Sequence, residues 1–227
     1  MPRTINEQDY AFKRKQILDV AQRLIYTKGY EQMSIQDILT EIGISKGAFY
    51  HYFESKPALL EALIAQILDE ILAIINPIVH NSQLSALEKL QAYFDTAIRW
   101  KTARREFMLD LLRIWYTDHN AIVRQKIMST LSKQAIAPLT EIMRQGKRES
   151  LLQISFPEQL GSIIVAIAQS IGDEFAALLL VDTPQGDELQ RATQLIAAYN
   201  EALERVLGAP PGSIMLMDEA ALHAWFA

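Results

Sequence analysis

The chain contains no cysteine in its 227 residues. That absence excludes disulfides, thiol nucleophiles and thiolate metal sites, and it is compatible with a reducing compartment. Long apolar runs are missing as well. The longest uninterrupted one, Phe175 to Val181, falls far short of the about 20 residues that span a bilayer as a helix. The N-terminus MPRTINEQDYAFKRK has no apolar core of signal-peptide length. The expectation is a soluble, cytoplasmic protein with no membrane partner.

Catalytic signatures are equally scarce. There is no nucleophile elbow, no phosphate-cradling glycine loop and no HExxH. His80, His119 and His223 are scattered and lack the short pairings that build zinc or haem sites. The adjacent carboxylates Asp173-Glu174 and Asp187-Glu188 point about 100° apart on a helix, so adjacency does not make them an acid/base pair. The expectation is a protein with no catalytic residue, no metal and no cofactor, and therefore not an enzyme.

No stretch alternates with period two between hairpin turns, and no repeat or low-complexity segment occurs. What is present is helical periodicity, and it predicts an all-α fold. A first helix is predicted from Glu7 to Lys28, with Ile17, Val20, Ala21, Leu24 and Ile25 recurring at three- and four-residue steps and Gly29 as its stop. Ser34, with Asp37 three residues on, reads as a capping box for a short second helix whose stripe is Ile35, Ile38, Leu39 and Ile42. Gly43 breaks that helix. Ser45 then caps a third that reaches only to about Phe53. Ser55 caps a fourth, with Pro57 in its first turn, running to Pro77 and bridging two parts of the chain. Further helices are predicted at about 84–102, 104–116, 119–146, 157–182 and 186–207, and the tail after GAPPGS, residues 213–227, has amphipathic character.

Two short helices joined by a glycine turn match a helix-turn-helix, in which the first helix braces and the second enters the major groove. Net charge is −5 overall, but residues 1–56 carry +1 and the rest −6. The N-terminal part is thus able to present a local positive face, with Lys13, Arg14 and Lys15 clustered. The predicted third helix lies in GISKGAFYHYFESK, which packs Phe49, Tyr50, Tyr52 and Phe53 around His51 between Lys46 and Lys56. Aromatic clusters at helical spacing are usually core, and Phe49 and Phe53 are assigned there. The small, polar first turn Ser45-Lys46-Gly47-Ala48 lets a backbone approach a ligand closely, and amides at a helix start favour a phosphate.

The run from Lys15 to Ile64, above all TKGYEQMSIQDILTEIGISKGAFYHYFESKPALL, closely resembles the DNA-binding region of the TetR family of bacterial transcriptional regulators. Ala21, Gly29-Tyr30, Ser34, Ile38, Gly43, Ser45-Lys46-Gly47, Tyr50, Phe53, Lys56 and Leu60 all fall in register. The resemblance covers about the first quarter of the chain. It implies that Ser34 and Gln36 on the bracing helix, and Ser45, Lys46, Gly47, Ala48, Tyr50, His51 and Tyr52 on the recognition helix, face double-stranded DNA, with Lys56 contacting the backbone. By chemistry, Lys46 suits a phosphate or guanine acceptors, Gln36 an adenine or the backbone, the Ala48 methyl a thymine methyl, Tyr50 and Tyr52 phosphates, and His51 backbone or a base edge. The family often has threonine or serine where Ala48 stands, so one polar contact is absent here.

The resemblance further implies a DNA-binding domain at 1–55 and a helical ligand-binding and dimerisation domain at 56–227, joined by the helix at 56–76. The homodimer would form through the helices at 157–182 and 186–207 and read a palindromic operator. A small-molecule effector would bind among the helices between about 84 and 182, with Trp100, Met108, Trp115, Tyr116 and Asp173 as candidate lining; each is equally readable as core filler, surface or interface. The function expected is a repressor released by its ligand. The alternative is a DNA-bound scaffold for another protein, without an effector.

Overall fold

The computed structural model describes residues 7–116, 121–181, 183 and 185–226, and among them every regular element is an α-helix. The helices are α1 Glu7–Lys28, α2 Ile35–Ile42, α3 Lys46–Tyr52, α4 Lys56–Val79, α5 Ala86–Thr102, α6 Arg105–Trp115, α7 Ala121–Arg148, α8 Pro157–Leu179, α9 Glu188–Leu207 and α10 Glu219–Phe226. Contacts divide the chain into two compact units, Met1–Ile67 with Glu106–Ile127, and Leu68–Arg105 with Met128–Ala227. That division falls within α4, α7 and the start of α6, whereas the sequence pattern divides the chain at residue 56.

In the first unit α1 packs on α2, and α2 on α3. Of the stripe predicted for α1, Ile17, Ala21 and Ile25 are buried and Val20 and Leu24 half-buried, with Leu18 buried beside them; they are joined in the interior by Ile38, Leu39, Phe49, Phe53 and the α4 residues Leu59, Leu60 and Leu63. Two ion pairs, Lys28 with Asp37 at 2.8 Å and Arg23 with Glu41, tie the C-terminal half of α1 to α2.

The second unit has one continuous core drawn from five helices and the tail. Ile75 and Val79 of α4, Leu90 and Phe94 of α5, Ile142 and Met143 of α7, Ile164 of α8, Leu203 and Leu207 of α9, and Ile214 and Leu216 beyond it all belong to it. The backbones of α7 and α8 approach closely at Gly161. A Cβ there would lie 2.2 Å from the Thr140 hydroxyl and 2.7 Å from the Ile136 carbonyl, so only hydrogen fits.

The tail folds back and docks. Gln91 of α5 pairs with the Met215 backbone in both directions, its amide donating to the carbonyl at 2.8 Å and its oxygen accepting the N–H at 2.9 Å. The buried Glu204 carboxylate accepts the Ile214 N–H, and Asn200 accepts that of Leu216. Helix α10 then buries Leu222 and Trp225, with the Trp225 indole donating to Thr102 at 2.9 Å and its carbonyl accepting from Arg105. Phe175 meets Trp225 and Phe226 edge to face.

Several helix ends differ from the pattern. Helix α4 continues through Pro77 to Val79, because a proline two residues from a C-terminus removes one hydrogen bond and the ladder resumes with His80 donating to Asn76. Helix α5 begins at Ala86, not at residue 84, because Ser85 and Glu88 form a complete capping box there. Helix α8 stops at Leu179 and α9 starts at Glu188, each a little inside its predicted range. The predicted start of α7 at residue 119 falls outside the described residues.

Candidate nucleic-acid interface

The interface is built on how α2 and α3 begin and end. Ser34 caps α2 through a reciprocal box: its hydroxyl accepts the Asp37 N–H at 3.1 Å, and the Asp37 carboxylate accepts the Ser34 N–H at 2.7 Å. The same carboxylate takes the Lys28 ammonium. These donors, led by Lys28, hold its pKa well below the ordinary carboxylate range. Helix α2 ends at Gly43 in the left-handed conformation, φ 72 and ψ 37, with its N–H on the Leu39 carbonyl. A side chain there would be strained, so the turn requires glycine. Ser45 caps α3 by accepting the Ala48 N–H at 3.2 Å.

Helix α3 has seven residues, too few to persist without tertiary support. Its support is Phe49, 0% exposed, and the following Phe53, 3% exposed, with ring centroids 5.9 Å apart. With those two rings turned inward, the helix presents Lys46, Gly47, Tyr50 and His51 outward, while Ala48 and Tyr52 are half-buried. Tyr50 is 44% exposed and lies edge to face on Phe49. Ser34 and Gln36 at the start of α2, and Ser45 at the start of α3, are also exposed.

The cations divide into two groups. Lys15 is paired with Asp19, Arg23 with Glu41 and Lys28 with Asp37, which neutralises much of α1. Lys46 is exposed, and among the described residues no acid pairs with it. Lys56 is held differently: its ammonium sits 4.1 Å from the Tyr30 ring centroid and donates to the Glu31 carbonyl at 3.4 Å. Burial lowers the Lys56 pKa and pushes the Tyr30 hydroxyl up to about 12. Lys56 thus binds the start of α4 to the turn between α1 and α2, a role the sequence pattern does not reveal.

Sequence reasoning also missed Tyr10. Its ring lies 4.9 Å from that of Tyr52 and 5.7 Å from that of His51. The available signal was its spacing of four residues from Arg14, whose guanidinium covers Phe53 at 5.0 Å, which puts both on one face of α1.

The candidate effector residues are dispersed. Trp100 is buried in the second unit with the Arg104 guanidinium 4.1 Å above its ring. Asp173 is in the same unit but exposed in the single chain. Met108 and the 38%-exposed Tyr116 fall in the first unit. The side chain of Trp115, like His119, lies outside the described residues. Among those described, no group of three or more His, Asp or Glu side chains converges as a metal site would.

Comparison with known proteins places the same segment in one group. Residues 17–63 match the family described as bacterial regulatory proteins, tetR family. An HTH-type transcriptional regulator of Bacillus subtilis, YuxN, is 50% identical over 52 residues, 23% of this chain and 18% of that protein. An HTH-type transcriptional repressor of Mycobacterium tuberculosis is 40% identical over 63 residues, 28% of this chain and 33% of that protein. The chain therefore spans a third or less of these relatives' own length. In fold, a TetR-family transcriptional regulator from Pectobacterium atrosepticum covers 90% of this chain and is itself covered over 99%, with a TM-score of 0.64 at 19% identity.

Proposed function

The chain belongs to the TetR family of bacterial regulatory proteins, and from that premise we propose that it is a DNA-binding transcriptional regulator of the cytoplasm, a repressor that holds a palindromic operator as a homodimer and releases it when a small molecule binds. Residues 1–55 read the DNA; residues 56–227 bind the effector and dimerise. The observation that carries the DNA-binding part is the outer layer of α3. Lys46, Gly47, Tyr50 and His51 stand exposed on a helix anchored from beneath by two buried rings, and among the described residues no acid pairs with Lys46. A narrow polar helix with an unpaired cation, held rigidly, suits the major groove.

Support for the dimer comes from α8. It is long and apolar, yet only 17% of its most apolar 18-residue stretch is buried within one chain. Water tolerates such a surface poorly, and a second copy related by a two-fold axis would cover it. A dimer also places two copies of α3 on two half-sites, which gives the grip that one small helix lacks. Release follows if the effector binds one dimer state more tightly than another and the two states space the α3 helices differently. Trp100, buried in the second unit, is a candidate ring for that effector to meet.

The test is selection of duplexes from random DNA by the full chain. A two-fold symmetric site should emerge, and a compound that binds the protein should lower affinity for it at matched salt. Enrichment of no duplex sinks the DNA-binding reading. Equal affinity with and without saturating compound sinks release by that compound.

A further inference from the structure

Helix α3 is fixed at its start by the Ser45 cap and at its middle by Phe49. Its far end has no such local device. Phe53 follows in extended backbone, φ −141 and ψ 120, so the helix simply stops, and the orientation of His51 and Tyr52 depends on what packs against them. That packing comes from α1. Tyr10 and Arg14, one helical turn apart, lie along this end: Tyr10 against Tyr52 at 4.9 Å with planes tilted by 35°, and against His51 at 5.7 Å with planes at 86°, and Arg14 over Phe53 at 5.0 Å. His51 and Tyr52 meet each other at 5.3 Å and 76°. The three rings close into one cluster, with Tyr10 and Tyr52 half-buried and His51 exposed.

Edge-to-face packing fixes a ring plane as well as a position, because the positive edge of one ring seeks the negative face of the other. A histidine ring with a fixed plane offers its two nitrogens in fixed directions, and hydrogen bonds to base edges discriminate only when their directions are fixed. We propose that Tyr10 is a positioning residue of the DNA interface, setting the planes of His51 and Tyr52 so that the base pairs met at the C-terminal end of α3 are selected through a residue of α1. This rests on the DNA-binding reading above. It extends the determinants of specificity beyond the helix-turn-helix to a side chain that need not touch a base itself.

The test uses the full chain and the duplex it enriches from random DNA. Four chains are compared with the wild type: Tyr10→Phe, which keeps the ring, Tyr10→Leu, which keeps apolar bulk and loses the ring, His51→Ala, and the double variant Tyr10→Leu/His51→Ala. Each is measured on the selected duplex and on an unrelated one. Tyr10→Leu is expected to weaken the selected duplex by about tenfold, the loss of two ring contacts, to weaken the unrelated duplex far less, and to flatten the same base preferences that His51→Ala flattens. Tyr10→Phe should retain wild-type preferences, and the double variant should lose less than the sum of the two single losses, because the share of the Tyr10 effect that runs through His51 is already gone and only the share through Tyr52 remains.

Losses that add in the double variant, or that fall equally on both duplexes, assign Tyr10 a general or merely structural role and overturn the proposal. Since Tyr10→Leu can lower stability, the His51 ring-proton shifts of the DNA-free protein give a second measurement. They should move in Tyr10→Leu and not in Tyr10→Phe, and unmoved shifts overturn the proposed packing. A wild-type chain that enriches no duplex overturns the DNA-binding reading and this inference with it; a Tyr10→Leu chain that binds and selects as wild type overturns this inference alone.

Discussion

Helices α3 and α8 make opposite uses of their surfaces. The first has seven residues, one inward ring with a second just after it, and a polar, cationic outer face; the second has 23 residues, and only 17% of its most apolar stretch is buried in the chain. A short helix with a buried anchor contributes little surface of its own and works as a mount for polar side chains. A long apolar helix left open to water is costly until something apolar covers it. The same chain thus carries one face suited to a charged groove and another suited to a copy of itself, and the two should fail in different ways.

The largest effect is expected from removing the mount. Phe49→Ala should cost about 3–5 kcal/mol of stability, the usual penalty for emptying a fully buried aromatic site, and abolish DNA binding with it. Denaturant melts followed by far-ultraviolet dichroism check this, and an unchanged melt would show that α3 does not hang on that ring. Next comes Ile163→Asp on the open side of α8, where Ile163 is 41% exposed. It should weaken self-association by about 2 kcal/mol or more, roughly 30-fold, while leaving the helical content of the chain unchanged. Sedimentation across a dilution series reads that outcome, and undiminished association would move the interface off this face of α8.

Lys46→Ala sharpens the comparison from the other side. Binding to the selected duplex should fall about tenfold at physiological salt, and the slope of log affinity against log salt should shrink by about 1, with no change in melting. An unaltered salt slope would take Lys46 off the phosphates. The smallest effect concerns Asp37. Its folded pKa is depressed, chiefly by Lys28 and then by Ser34, so its contribution is fully present above the unfolded carboxylate value near about 4 and is lost as pH falls through the lower folded value. Asp37→Asn should therefore reduce stability at neutral pH and make it less sensitive to acidification below about 4. If wild type and variant lose stability in parallel on acidification, the capping box does not carry that dependence.

The starts and stops of the helix-turn-helix were legible because their causes are local. Ser34 with Asp37, Gly43, and Ser45 each act within four residues, and such signals survive in a bare sequence. Phe49 and Phe53 were separable from Tyr50 and His51 because helical geometry alone divides the faces. The intramolecular contacts of Lys56 were not legible for the opposite reason: its partners, Tyr30 and Glu31, lie about 25 positions earlier, and nothing in the intervening residues announces the contact. Tyr10 escaped notice likewise, since its rings are some 40 positions away at His51 and Tyr52. The continuation of α4 past Pro77 depended on how near a helix end that proline stands, and boundaries are set by balances of a single hydrogen bond.

The docked tail imposes an order on how the protein is made. Gln91 and Met215 are 124 residues apart, and Arg105 and Trp225 are 120 apart. A ribosome adding about 5–20 residues per second needs roughly 6 to 25 seconds to pass from one partner to the other. Throughout that interval the side of α5 that seats the tail has no partner to meet. The contacts that hold α4 to α1 and to the turn after it span far less chain, 25 residues between Lys56 and Glu31 and 47 between Gln66 and Asp19. On the nascent chain, the helix-turn-helix can therefore be assembled while the second core still waits for its last strap.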